Sequence, residues 1–240
     1  MESPASIKKY EMPEEMSAEY LDVLCHFLSV QADSGYAAIQ QLRTWLDHAP
    51  TAEDRWVIAR IINEEMRRAW QMSKLLMELG RGNVVDEMLW KKTGEHKLES
   101  LNVPVETWPD AIVYLFFVTG VVAYYLDDFV DSTYAPLDRA VGQMIKEERL
   151  HRAFAVNKIS DFIRDPENKT QFQQLAAKWL PRGLDNFGRS NSRADAQAIE
   201  YGIKRTPGAA MRDQYVTDLK VHMDKWGVPM PDLTVDRRFQ

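Results

Sequence analysis

Cysteine is nearly absent from the 240 residues. Cys25 stands alone, so no intrachain disulfide can brace the fold. The alternating apolar and polar pattern of half-buried strands is missing, which leaves a sheet-based fold without support. There is no glycine-rich loop to cradle a phosphate, no low-complexity stretch, and no repeat at a period of about 20–50 residues. A basic excess is missing as well. The 30 Lys and Arg stand against 36 Asp and Glu, a formal charge of −6, so no nucleic-acid partner is expected. The opening residues, Met1–Met12, lack the apolar stretch of a secretory signal, and a cytoplasmic location is expected. The longest apolar run, Ala111–Leu126, falls short of the roughly 18–20 residues of a membrane span and is bracketed by Asp110, Asp127 and Asp128. A helix apolar on all sides is most simply the buried centre of a bundle. No membrane partner is expected.

What is present is helical. Apolar residues make up 45% and charged residues 28%, an ordinary globular balance, and the length allows one well-buried core. After a tail over residues 1–16, Ser17 caps a helix that runs to about Asp47, with Leu24, Phe27, Leu28, Ala32 and Leu42 at helical spacing. Thr51, with Asp54 three residues on, opens a second helix that Gly80 and Gly82 close. Residues 83–107 read as a connection with one short helix near Val85–Trp90. A third helix runs from Trp108 to about Ser132, with Pro109 in its tolerant first turn, and a fourth from Leu137 to about Arg164. Further helices are expected over about 168–186, 194–204 and 208–225, before an extended tail over 227–240. Two helical hairpins joined by a long crossover are the layout of an all-α, ferritin-like four-helix bundle. Here it forms one domain over 17–226 with additional C-terminal helices.

Each hairpin's second helix carries a Glu-Glu pair near its middle: Glu64-Glu65 and Glu147-Glu148. Burying a carboxylate is costly unless it is paired, protonated or bound to a metal. Three residues beyond Glu148 stands His151, on the same helix face. Glu-x-x-His on a long helix is the metal-binding unit of di-iron bundles, in which six ligands come from four helices. Three residues beyond Glu65 stands Arg68 instead. A guanidinium cannot deprotonate to bind iron, and its charge repels a cation.

The chain resembles the catalytic A subunit family of bacterial phenylacetyl-CoA epoxidases, over about Gln31 to Leu233. The resemblance rests on the order of several strings: Gln31-Ala32-Asp33-Ser34-Gly35, Asn63 through Met72, Lys146 through Phe154, Ile203-Lys204-Arg205 and Val228 through Leu233. It implies a ferritin-like fold, a di-iron centre, a coenzyme A thioester substrate and a related non-catalytic partner subunit. Carried over by position, the expected ligands fall on Gly35, Glu65, Arg68, Thr119, Glu148 and His151. Glu65, Glu148 and His151 keep ligand chemistry, while Gly35, Arg68 and Thr119 do not.

Three readings follow. The preferred one is a divergent family member associated with phenylacetate or other aromatic catabolism. It is metal-poor or metal-free, with Arg68 neutralising Glu65 and Glu148 in an internal ion pair. It would serve as a structural, regulatory or partner subunit, pairing with a homologous subunit or with itself, and no cofactor is expected. The second is an active oxygenase of an aromatic coenzyme A thioester, with a mono- or di-iron site drawing on Glu64, Glu65, Asp127, Glu148 and His151. The third is a protein that binds an acyl-CoA or another small molecule without catalysis. Taken alone, Glu64 reads as a solvent-side or neighbouring-helix carboxylate. His26, His48, His96 and His222 have no partner at ligand spacing, and Lys146, Arg149 and Arg152 read as a solvated helix face.

Overall fold

A computed structural model describes residues 8–239; residues 1–7 of the expected tail lie outside it. Helix α1 (Ala18–Leu42) starts where Ser17 Oγ accepts the Tyr20 amide at 3.1 Å. The chain bends at Arg43–Thr44 and adds a short turn of helix, α2 (Trp45–His48), before Pro50. α3 (Ala52–Glu78) begins with Thr51 Oγ1 accepting the Asp54 amide at 3.1 Å and ends before Gly80, whose φ of +74° needs glycine.

The crossover to the second hairpin contains α4 (Gly82–Leu89) and a 3-10 turn (Glu99–Leu101). α5 (Trp108–Tyr114), a π turn (Leu115–Thr119) and α6 (Gly120–Asp128) form one continuous rod. α7 (Ala135–Phe162) returns alongside it. α8 (Pro166–Asp185), α9 (Arg193–Glu200) and α10 (Gly208–Trp226) follow. The fold is an all-α, ferritin-like bundle of α1, α3, the α5–α6 rod and α7, with a long crossover and additional C-terminal helices.

The rod from Trp108 to Asp128 is long and apolar enough to cross a membrane, more so than the shorter run suggests, and it is mostly buried within the protein. α8 and the π turn pack closely: a Cβ on Gly183 would run into the Phe117 carbonyl oxygen. The π turn leaves carbonyls without helical partners. Tyr215 of α10 takes up two of them, its hydroxyl donating to Phe117 O at 2.9 Å and to Phe116 O at 3.2 Å. The C-terminal helices therefore brace the middle of the bundle.

The ends of the described segment are also tied down. Tyr10 donates its amide to Thr133 O at 2.7 Å and accepts from the Ala135 amide at 3.0 Å. The buried Asp185 carboxylate accepts the amides of Arg238 at 2.5 Å and Phe239 at 3.1 Å. The crossover is anchored on α1 by the fully buried Asp33. It meets His96 Nδ1 at 3.2 Å, the Lys97 amide at 2.7 Å and Lys91 Nζ at 3.2 Å.

Candidate metal centre

α3 and α7 lie antiparallel. Lys158 holds Asp54 at 2.5 Å near one end, and Arg67 binds Glu147 further along. Between these ties α3 presents Glu64, Glu65 and Arg68 to Glu148 and His151 of α7, and all five are buried. The spacing of three places Glu65 with Arg68, and Glu148 with His151, on the inner faces of their helices.

Arg68 is the hub. Its Nη2 donates to Glu65 Oε2, and its Nε lies 3.5 Å from Glu148 Oε1. Its Nη1 donates to the Gln31 carbonyl at 2.9 Å and to Ser34 Oγ at 3.1 Å, both on α1. His151 Nε2 contacts Glu64 Oε2 at 2.7 Å, and its Nδ1 stands 3.6 Å from both Glu65 Oε1 and Glu148 Oε2. Arg60 donates to the other Glu64 oxygen at 2.8 Å from the solvent side. Glu64 thus lies buried against His151 of the neighbouring helix, the second of the two places expected for it, and nothing in its local spacing names that partner.

The electrostatics follow from the pairing. Burial works to raise the Glu65 carboxyl, but Arg68 and His151 outweigh it and hold it down at about 2. Burial, with the neighbouring Glu65 charge, raises Glu148. Burial works against a charged His151, yet Glu148 and Glu65 overcome it and lift the imidazole to about 11. Arg60, Arg68 and the protonated His151 thus face the three carboxyl groups Glu64, Glu65 and Glu148.

Ligand atoms of Glu65, Glu148 and His151 lie within 4.8 Å of one another, a group that could hold one metal ion. Glu65 Oε1, Arg68 Nε and His151 Nδ1 have no hydrogen-bond partner. The six-ligand di-iron centre that the resemblance implies does not fit these residues. A Cβ at position 35 would stand 2.9 Å from Ala69 Cβ and 3.2 Å from Glu65 O, so α1 and α3 leave no room there for a carboxylate. Asp33, two residues away, is committed to the crossover. Thr119 is buried at the end of the π turn, with its hydroxyl donating to Leu115 O at 2.7 Å. The carboxylates of the third rod lie elsewhere: Asp110 binds Lys178 and Trp179, Asp128 accepts the Arg205 and Thr206 amides, and Asp127 is an exposed partner of Arg149. Asp127 is therefore apart from the cluster. The position of the remaining histidine ligand is filled by the Arg68 guanidinium.

Beside Arg68 is a cavity of about 20 Å3, walled by Gln31, Ser34, Tyr114, Val118 and Thr119 among others, enough for about one water molecule. The Gln31 side-chain oxygen and the Tyr114 hydroxyl are buried there without a partner. A larger outer cavity of about 500 Å3 shares Val30, Gln31, Leu98, Tyr125 and Asn186 with it.

A family model described as phenylacetic acid catabolic protein matches residues 1–238. The A subunit of the 1,2-phenylacetyl-CoA epoxidase of Escherichia coli (strain K12) is 25% identical to this chain over 230 residues, covering 92% of this chain and 73% of that protein. With the family model spanning nearly its whole length, the chain belongs to the phenylacetic acid catabolic protein family.

Proposed function

We propose that this chain is a metal-free, non-catalytic member of its family. It acts as a structural or regulatory subunit in the breakdown of phenylacetate or a related aromatic compound, beside a homologous subunit. The observation that carries the reading is the Arg68 guanidinium, which spans Glu65 and Glu148 and hydrogen-bonds α1 through Ser34 and Gln31. Guanidinium, imidazolium and carboxylates form a neutral set, so the cluster needs no cation. Adding a divalent cation would displace a charge-assisted hydrogen bond and strand Arg68. In this reading the chain contributes helix faces and a rigid bundle, not oxygen chemistry.

A second reading is favoured by the closeness of Glu65, Glu148 and His151. These three would hold a single iron once Arg68 swings aside. Loading the protein with Fe(II) anaerobically, desalting and counting iron per chain separates the readings. The first expects no stoichiometric iron. One iron per chain supports the second, and two iron ions contradict both the first reading and the ligand count. A thermal-shift series of coenzyme A thioesters tests the outer cavity as a binding site. A saturable rise in Tm would make the chain a thioester-binding subunit.

A further inference from the structure

α3 turns tryptophan to the outside. Trp56 is 64% exposed, Trp70 53%, Met66 45% and Met77 39%. With Ala59 and Asn63, also exposed, they form a line at alternating spacings of three and four over positions 56, 59, 63, 66 and 70; position 73 is the buried Ser73, and Met77 follows seven residues after Trp70. That is a heptad seam, with 56, 63, 70 and 77 at one core position and 59 and 66 at the other. An ideal helix carries such a seam slowly around its axis, which matches the path of a left-handed helix pair. α2 and α4 also contact α3, with Gly82 of α4 beside Met77, while Trp56, Met66 and Trp70 stay exposed. α1 and α7 flank α3 on its inner faces, where Ala69 meets Gly35 and Arg67 meets Glu147.

The seam matches itself when reversed. In an antiparallel pair each residue of one core position faces one of the other. Pairing Asn63 with Met66 of a second copy sets Trp70 opposite Ala59 and Met77 opposite Ala52; Ser73, the next place in the register, is buried against Tyr36 of its own α1, so Trp56 lies at the margin of the contact. Met66, Trp70 and Met77 each meet a small side chain. The same register brings Glu53 beside Lys74 at both ends of the pair, a two-fold repeated charge match at the flanking positions, where Lys74 has only the exposed Glu78 of its own chain at 3.8 Å. Arg60 and Arg67 would also approach, but each already holds a carboxylate of its own chain, Glu64 and Glu147. A contact of this kind is isologous and closes at two copies.

We infer that the outer face of α3 is a dimerisation surface, on which a second copy of this chain packs its own α3 antiparallel about the Asn63–Met66 layer. The inference does not depend on whether the buried cluster binds metal.

Sedimentation velocity on the full chain over a concentration series tests it, with helicity followed by circular dichroism. The wild type is expected to be dimeric at micromolar concentration. Trp70→Glu, at an exposed position, is expected to sediment as a helical monomer. Lys74→Glu should weaken the dimer at least about tenfold by setting like charges against Glu53, and Glu53→Lys combined with Lys74→Glu should restore it. A wild type that stays monomeric, or pairs only with a homologous subunit, overturns the proposal. So does a dimer indifferent to Trp70→Glu. Failure of the double charge swap to restore what Lys74→Glu loses overturns the register.

Discussion

The two faces of α3 invert the usual division of labour. Its inner face buries Glu64, Glu65 and Arg68. Its outer face presents Trp56, Met66 and Trp70 to solvent. An amphipathic helix normally places charge outward and apolar bulk inward. Both departures carry a cost, and each has a local explanation. Charge is tolerated inside because every buried ion meets an opposite one, and apolar surface outside marks a contact with another molecule. One helix thus separates what the bundle needs for itself from what it offers to a partner.

That contrast predicts unequal mutational effects. The largest is expected from Arg68→Ala, which leaves the buried Glu65 and Glu148 to share the single charge of His151. It should cost about 3–5 kcal/mol in denaturant unfolding. A loss under about 1 kcal/mol, the range typical of exposed ion pairs, would mean that the inner face is not a true ion-paired core.

Next comes the pH dependence of His151, whose imidazole is raised from 6.5 to about 11 in the folded chain. Below pH 6.5 both folded and unfolded chains hold this proton, and the stabilisation is fully present. Above it only the folded chain does, so the contribution declines as pH rises and is lost as pH passes about 11. His151→Gln should flatten that alkaline decline, and the wild-type imidazole carbon shifts should show no titration between pH 5 and 9. A midpoint near 6.5 would remove His151 from the charge balance.

A smaller effect is expected from Gly35→Ala. Its methyl would stand 2.9 Å from Ala69 Cβ, forcing α1 and α3 apart at a cost of about 1–3 kcal/mol. A neutral result would show that the hairpin can open and that a side chain at position 35 is admissible. Smallest of all, Trp70→Glu on the outer face should change the stability of a single chain by less than about 0.5 kcal/mol, measured below the dimerisation range. A loss as large as that of Arg68→Ala would place Trp70 in the core and erase the contrast between the faces.

Much of the scaffold is legible in the sequence, because local rules set it. Ser17 and Thr51 cap the helices they should, Gly80 stops α3, and the three-and-four spacing marks the core faces. The π turn at Leu115–Thr119 is not legible. It depends on Tyr215, about a hundred residues on, supplying a hydroxyl to carbonyls that an ordinary helix would use itself. The bond between His151 and Glu64 and the tie between Asp33 and His96 are likewise set by tertiary approach, and no local spacing reports them. At the candidate site, the residue types at 65, 68, 148 and 151 are readable from their spacing of three. That position 35 lacks the room for a side chain is visible only once α1 and α3 are packed.

In the proposed reading, Glu65, Arg68, Glu148 and His151 form a self-sufficient ion-paired cluster that leaves no demand for a metal. A ligand that binds only the folded state raises stability, by about 2.7 kcal/mol at one hundred times its dissociation constant. Thermal unfolding of the wild type under anaerobic conditions, with Fe(II) in large excess and with chelator, tests this directly. The same Tm is expected in both. A Tm that climbs with Fe(II), and falls back on chelation, would contradict it.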